Sequence, residues 1–158
     1  MDINRSAPAT ASAEGVIHAP PELVWAIQSD FETWPAWNAA VTRMRLDGPV
    51  APGTSFRWTA GGAPIRSTIQ EVVPGRRLVW TGRMPGIRAV HVWEFEPHPE
   101  GTRVRTEESF EGVLVRWLAG PMQRMLTASL AQGLAALKAE AEKAEAERPA
   151  GRAADPQG

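Results

Sequence analysis

The chain has 158 residues, enough for one domain with a real core and too few for two comfortable ones. Seventeen basic residues stand against eighteen acidic ones, a net charge of −1, which argues against a nucleic-acid binder that works by neutralising phosphates. With no cysteine, no tyrosine and only two lysines (Lys138 and Lys143), disulfides, thiolate metal sites and Cys nucleophiles are excluded, and an inward phenol or Schiff-base lysine is not expected.

No stretch approaches the ~20 apolar residues of a membrane span, and the N-terminus lacks a basic-then-apolar signal pattern, so a cytoplasmic protein is expected. Residues 1–13 are small and polar and read as a loose leader. Gly15–His18 reads as a short strand, and Pro20-Pro21-Glu22 then opens a helix carrying Leu23, Val24 and Ile27. Asp30 is a candidate N-cap for a second short helix through Trp34, and Pro35 starts a turn that carries Trp37. From Val41 to Leu46 the period becomes two. Further strands are expected near Thr54–Thr59, Pro64–Val73, Arg76–Gly82, Ile87–Glu96 and Thr102–Phe110, separated by Gly61-Gly62, Pro74-Gly75, Pro85-Gly86 and a Pro- and Gly-containing turn at 97–101.

After Gly112 the period returns to 3.6. Met122, Leu126, Ser129, Gly133 and Leu137 form one stripe of a long helix, with Gly120-Pro121 breaking Val113–Ala119 off as a separate turn. The Ala/Glu run from Lys138 extends the helix by propensity, and Pro149 and Gly151 stop it. The domain is expected over 14–145, with a disordered tail over 146–158. The fold class is α+β: a curved, seven-stranded antiparallel sheet around the long C-terminal helix, with two short helices after the first strand.

Alternation assigns the faces. Phe56, Trp58, Ile65, Ile69, Leu78, Trp80, His91, Trp93, Phe95, Val104 and Phe110 point to the concave side, whereas Arg103, Arg105, Glu107 and Glu94 point outward, with Glu94 pairing across strands with Arg103 or Arg105. So many rigid aromatics on a curved sheet favour a cavity beneath the helix.

Several segments, in order, resemble the SRPBCC superfamily, the START-like helix-grip proteins, and within it the polyketide cyclase/dehydrase-like members. They are Ala19-Pro20-Pro21-Glu22-Leu23-Val24-Trp25, Asp30-Phe31-Glu32-Thr33-Trp34-Pro35-Ala36-Trp37-Asn38, Val72-Val73-Pro74-Gly75-Arg76-Arg77-Leu78-Val79-Trp80, His91-Val92-Trp93-Glu94-Phe95, Gly101-Thr102-Arg103-Val104 and Ser129–Leu134 of the long helix. The resemblance spans about residues 14–140. It implies the helix-grip fold and a deep apolar cavity between sheet and helix, but it carries over no catalytic residue, because the superfamily shares no catalytic set.

Two constellations follow from the residues. Trp37, Trp58, Trp80 and Trp93, with Phe56, Thr106, Met122 and Leu126, are candidates to line a site for a small, flat, hydrophobic ligand; packing the core is the competing role for the indoles. His91 and Glu108 are the candidate acid/base pair. If Phe95 faces Val104, His91 faces Glu108; if the register is two residues shorter, His91 faces Thr106 and Glu108 is its diagonal neighbour. In either case the carboxylate is expected to orient the ring and favour its charged form.

Three histidines at distant positions make no metal site, and no cofactor is expected. Arg66 is expected on the outer face, and Met84 in a loop where it would gate a cavity mouth. Three functions remain open: a carrier of a small hydrophobic, aromatic or polycyclic molecule; a cofactor-free polyketide cyclase/dehydratase; and a partner protein whose cavity is incidental. Either a monomer or a homodimer is compatible with the sequence.

Overall fold

The computed structural model describes residues 1–149. The elements run β1 (Ala9–Ile17), α1 (Pro21–Ser29), a 3-10 turn (Phe31–Thr33), α2 (Trp34–Trp37), β2 (Val41–Leu46), β3 (Ser55–Ala60), β4 (Ala63–Val73), β5 (Arg77–Met84), β6 (Ile87–His98), β7 (Gly101–Glu111), α3 (Val113–Trp117) and α4 (Ala119–Ala146). The seven strands form one antiparallel sheet in the order β1-β7-β6-β5-β4-β3-β2. Strands β2 to β7 are a meander of neighbours in sequence, and β1 closes onto β7.

The long helix α4 lies across the concave face, and every fourth or third position is buried: Leu126, Leu130, Leu134, Leu137 and Ala141. It crosses β1 closely because the facing residues of that strand are small. Gly15 lies under Leu134, and an added Cβ there would stand 3.6 Å from Leu134 Cδ2. This is the helix-grip architecture expected from the sequence. Pro121 lies in the first turn of α4, where its missing N–H costs nothing, and α3 is a separate short helix before it.

Five expectations are corrected. Strand β1 begins at Ala9, not Gly15, pairing along its whole length with β7. Residues 1–8, expected as a loose leader, lie on the outer face of the sheet: Ile3 is buried against Val79 and Val92, and the Asn4 N–H donates to Ser109 Oγ at 3.1 Å. Glu107, expected in water, is thereby covered and ion-paired to Arg105 and Arg5. Glu94 pairs with Arg77 of β5 instead of with Arg103 or Arg105, whose carboxylates are Glu14 and Glu107. The expected tail begins where α4 ends, and its residues 150–158 lie outside the described residues. Finally, Asp30 makes no side-chain cap; its backbone carbonyl instead accepts from Thr33 Oγ1 at 2.7 Å.

Gly101 and Gly112 mark the two ends of β7, with φ of 141° and 127°. A Cβ on either would lie 2.2 Å from a backbone oxygen (Ile17 O and Gly86 O, respectively), so glycine is required at both for close chain approach.

Candidate functional site

On the concave face the aromatic residues form one wall. Phe31 stacks on Trp34 at 4.5 Å between ring centroids, and Phe56, Trp58 and Trp80 surround them at 4.9–6.4 Å, mostly edge-to-face. Two sequence-derived candidates, Phe56 and Trp80, are thus buried in this cluster. Trp58 is half-buried and its indole N–H donates to Ser67 Oγ at 3.0 Å, which accounts for Ser67 inside the sheet. Trp93 lies further along β6, near-parallel to Phe95 at 6.4 Å, and faces Gly133 of α4. Trp37 is half-buried at the end of α2, where Asn38 Oδ1 accepts from Gln132 of α4.

Among the described residues, the buried indole N–H groups of Trp37 and Trp93 have no hydrogen-bond partner, and neither has Gln28 Oε1. Gln28 was not singled out from sequence, yet it lies one helical turn after buried Val24, and that i, i+4 spacing was the available signal.

Beside this wall lies a polar layer. Phe95 pairs with Val104, so His91 pairs with Glu108, the first of the two registers considered. On β6 the inward sequence is Ala89, His91, Trp93; on β7 it is Phe110, Glu108, Thr106, Val104. Ala89 and Phe110 belong to one apolar cluster with Leu126 and Met122, while Trp93 and Val104 belong to the other, so His91, Thr106 and Glu108 separate the two. Met122 and Leu126 therefore approach from α4 on the Phe110 side of the polar layer.

The imidazole packs against Trp80, 4.6 Å between ring centroids. Its Nε2 lies 2.8 Å from Thr106 Oγ1, and its Nδ1 lies 3.7 Å from Glu108 Oε2. The ring is therefore held by the threonine, with the carboxyl group just beyond direct hydrogen-bond range. The charge states also differ from expectation. Both side chains are nearly excluded from solvent, 10% and 13% exposed, and burial disfavours whichever form carries charge. It pushes the His91 pKa down from 6.5 to about 3 and the Glu108 pKa up from 4.5 to about 8. At neutral pH the pair is a neutral imidazole beside a protonated carboxyl, not an imidazolium beside a carboxylate. Desolvation outweighs the attraction between an imidazolium and a carboxylate at this site.

Two cavities of about 540 and 370 Å³ lie elsewhere, around the β5–β6 turn and α3, and no tryptophan lines either. Met84 borders the smaller one. Arg66 is exposed on the outer face, His18 is exposed, and His98 Nδ1 accepts from the Glu100 N–H within its turn. Among the described residues no group of three His, Asp or Glu is placed to hold a metal ion. No described helix is long and apolar enough to cross a membrane.

The family model for polyketide cyclase / dehydrase and lipid transport proteins matches residues 8–142, most of the chain and all seven strands. The chain belongs to this family.

No functionally curated protein matches it. Solved structures do. The protein jhp0584 from Helicobacter pylori superposes with a TM-score of 0.77 at 20% identity, over 88% of this chain and 91% of that one. A START superfamily protein from Mycobacterium smegmatis gives 0.74 at 17% identity, over 85% and 98%. The di-domain ARO/CYC protein StfQ of the steffimycin biosynthetic pathway gives 0.72 at 18% identity, over 88% of this chain and 53% of that one. At these identities what is shared is the fold. Within this polyketide cyclase / dehydrase and lipid transport family member, the matched segment includes β1 almost from its first residue, consistent with the longer strand in the structure.

Proposed function

We propose that this protein binds a small hydrophobic molecule, aromatic or polycyclic and carrying oxygen, between the sheet and α4. The observation that carries this reading is the unpartnered indole N–H of Trp93, buried on the concave face two residues along β6 from His91. A buried donor without an acceptor costs about 1–3 kcal/mol, and a ligand carbonyl or hydroxyl would supply the acceptor. Trp37 offers a second such donor. Trp58, Trp80 and Phe56 supply flat apolar surface, Thr106 a hydroxyl, and Met122 and Leu126 the side-chain packing from the helix. Family membership supports the ligand class, since the family covers both polyketide cyclisation and lipid transport.

A second reading, catalysis without a cofactor, is favoured by the His91–Glu108 geometry. Two neighbouring groups whose environments push their pKa values apart make an acid and a base at one pH. Neutral His91 would take a proton from the carbon next to a ligand carbonyl, and protonated Glu108 would give its proton to the departing β-hydroxyl, which leaves as water as the new C=C forms. Transfer from imidazolium to carboxylate, relayed by one water across the 3.7 Å gap, then restores the pair. The fold is shared with StfQ, which supports the same reading.

Titration with a naphthol, followed by tryptophan quenching and native mass spectrometry, tests the binding function. One-to-one saturation supports it; absence of any saturable quenching overturns it. The His91→Ala variant then separates carrier from enzyme: loss of turnover by about 10²–10⁴ with affinity little changed marks an acid/base role.

A further inference from the structure

The balanced composition conceals an unbalanced surface. In the sheet register, Arg45 of β2 pairs with Arg57 of β3, Arg57 with Arg66 of β4, Arg66 with Arg83 of β5, and Arg83 with Arg88 of β6. Five arginines thus stand directly opposite one another across five adjacent strands, all exposed on the outer face. At about 4.8 Å between strands the row is roughly 19 Å long. Like charges directly opposite in a sheet repel, so folding alone does not favour this arrangement.

Little within the protein neutralises it. Arg45 and Arg57 share one carboxylate, Asp47, at 3.6 and 3.7 Å. Arg66, Arg83 and Arg88 have no carboxylate within ion-pair distance among the described residues, and Glu111, which pairs with Arg88 in register, accepts instead from Asn4 Nδ2.

The row ends at an apolar surface. Gly86 in the β5–β6 turn lets α3 sit closely against it, and the two cavities there are lined by Arg83, Arg88, Val113 and Arg116. Just beyond, Trp117 is 83% exposed and Val113 71%, with Leu118 and Met125 also exposed. From Gly112 to Ala139 the sequence contains no acidic residue. The turns at Gly61-Gly62 and Pro85-Gly86 and helix α3 all lie at this one end of the sheet.

We infer that this end of the molecule docks on an anionic phospholipid bilayer, with Trp117 and Val113 in the headgroup–acyl boundary and the row from Arg57 to Arg88, with Arg116, on lipid phosphates. A basic surface beside exposed tryptophan and aliphatic side chains is the pattern of interfacial binding. A nucleic acid or other soluble polyanion would use the arginines but leave Val113, Leu118 and Met125 in water, so the apolar half of the surface favours the bilayer.

The test uses the full chain with phosphatidylcholine vesicles, with and without phosphatidylglycerol, read by co-sedimentation and tryptophan emission. Binding only to the anionic vesicles, weakening with salt, and a blue shift that disappears in Trp117→Ala are expected. The double variant Arg83→Gln/Arg88→Gln should partition roughly 30-fold less, about fivefold per arginine. Arg103→Gln, whose partner is Glu14, should bind as the parent does. Both arginines are exposed and their loss relieves repulsion, so the double variant should unfold at the same or higher urea; should it instead be less stable, Trp117→Ala alone decides. Equal binding to neutral and anionic vesicles, unchanged binding by Arg83→Gln/Arg88→Gln, a blue shift retained in Trp117→Ala, or binding of a heparin or DNA probe without binding of vesicles would overturn the inference.

Discussion

Replacing Glu108 by Gln should remove one limb of the protein's pH–stability profile and leave the other. In the folded state burial holds Glu108 protonated up to about pH 8, whereas in the unfolded chain it ionises near its ordinary 4.5. Its contribution is therefore complete below pH 4.5 and is lost as pH rises towards 8. His91 acts in the opposite sense: folded it stays neutral down to about 3, while unfolded it takes a proton near 6.5, so stability is lost as pH falls from 6.5 towards 3. Between pH 4.5 and 6.5 the two slopes cancel. Above 6.5 only Glu108 contributes, at about 1.4 kcal/mol per pH unit, so roughly 2 kcal/mol should be lost between pH 6.5 and 8. Urea denaturation at constant ionic strength, followed by tryptophan fluorescence, measures this directly. E108Q should be flat across that interval and keep the acid limb. A flat parent profile above pH 6.5, or an E108Q profile that still falls, would refute the burial argument for the pair.

Gly133→Ala should raise stability by about 0.5–1 kcal/mol in the same urea assay, because an interior helix glycine is replaced and the new methyl meets Trp93 Cζ2 at an ordinary 4.0 Å. Gly101→Ala should cost at least about 2 kcal/mol, seen as a lowered melting temperature, since its Cβ would collide with Ile17 O. Trp93→Phe removes the unpartnered N–H, so affinity for an oxygenated aromatic should fall, as followed by calorimetric titration.

The strands and the long helix were legible because alternation and the 3.6-residue stripe are strong over β2 to β7 and α4. The first half of strand β1 is not legible because Ala9–Ala13 carries no large apolar residue; its pairing comes from the open edge of β7, a tertiary cause that local pattern does not contain. The His91–Glu108 juxtaposition was legible to within one choice of register, which the Phe95–Val104 pairing settles. Their charge states were not, because a sequence displays a neighbouring carboxyl but not the loss of water around both groups. The arginine row shows the same limit. Alternation sends Arg57, Arg66, Arg83 and Arg88 outward one strand at a time, and only register reveals that they are aligned.

Under the proposed function, the concave face beside His91 and Trp93 takes an oxygenated aromatic ligand. The most direct measurement follows the indole and imidazole nitrogens of ¹⁵N-labelled protein by NMR during titration with a naphthol. The Trp93 Nε1–H resonance should shift downfield as it acquires an acceptor, together with the His91 ring nitrogens, saturating at one equivalent. Shifts confined to exposed Trp117, with Trp93 and His91 unmoved at saturation, would contradict it.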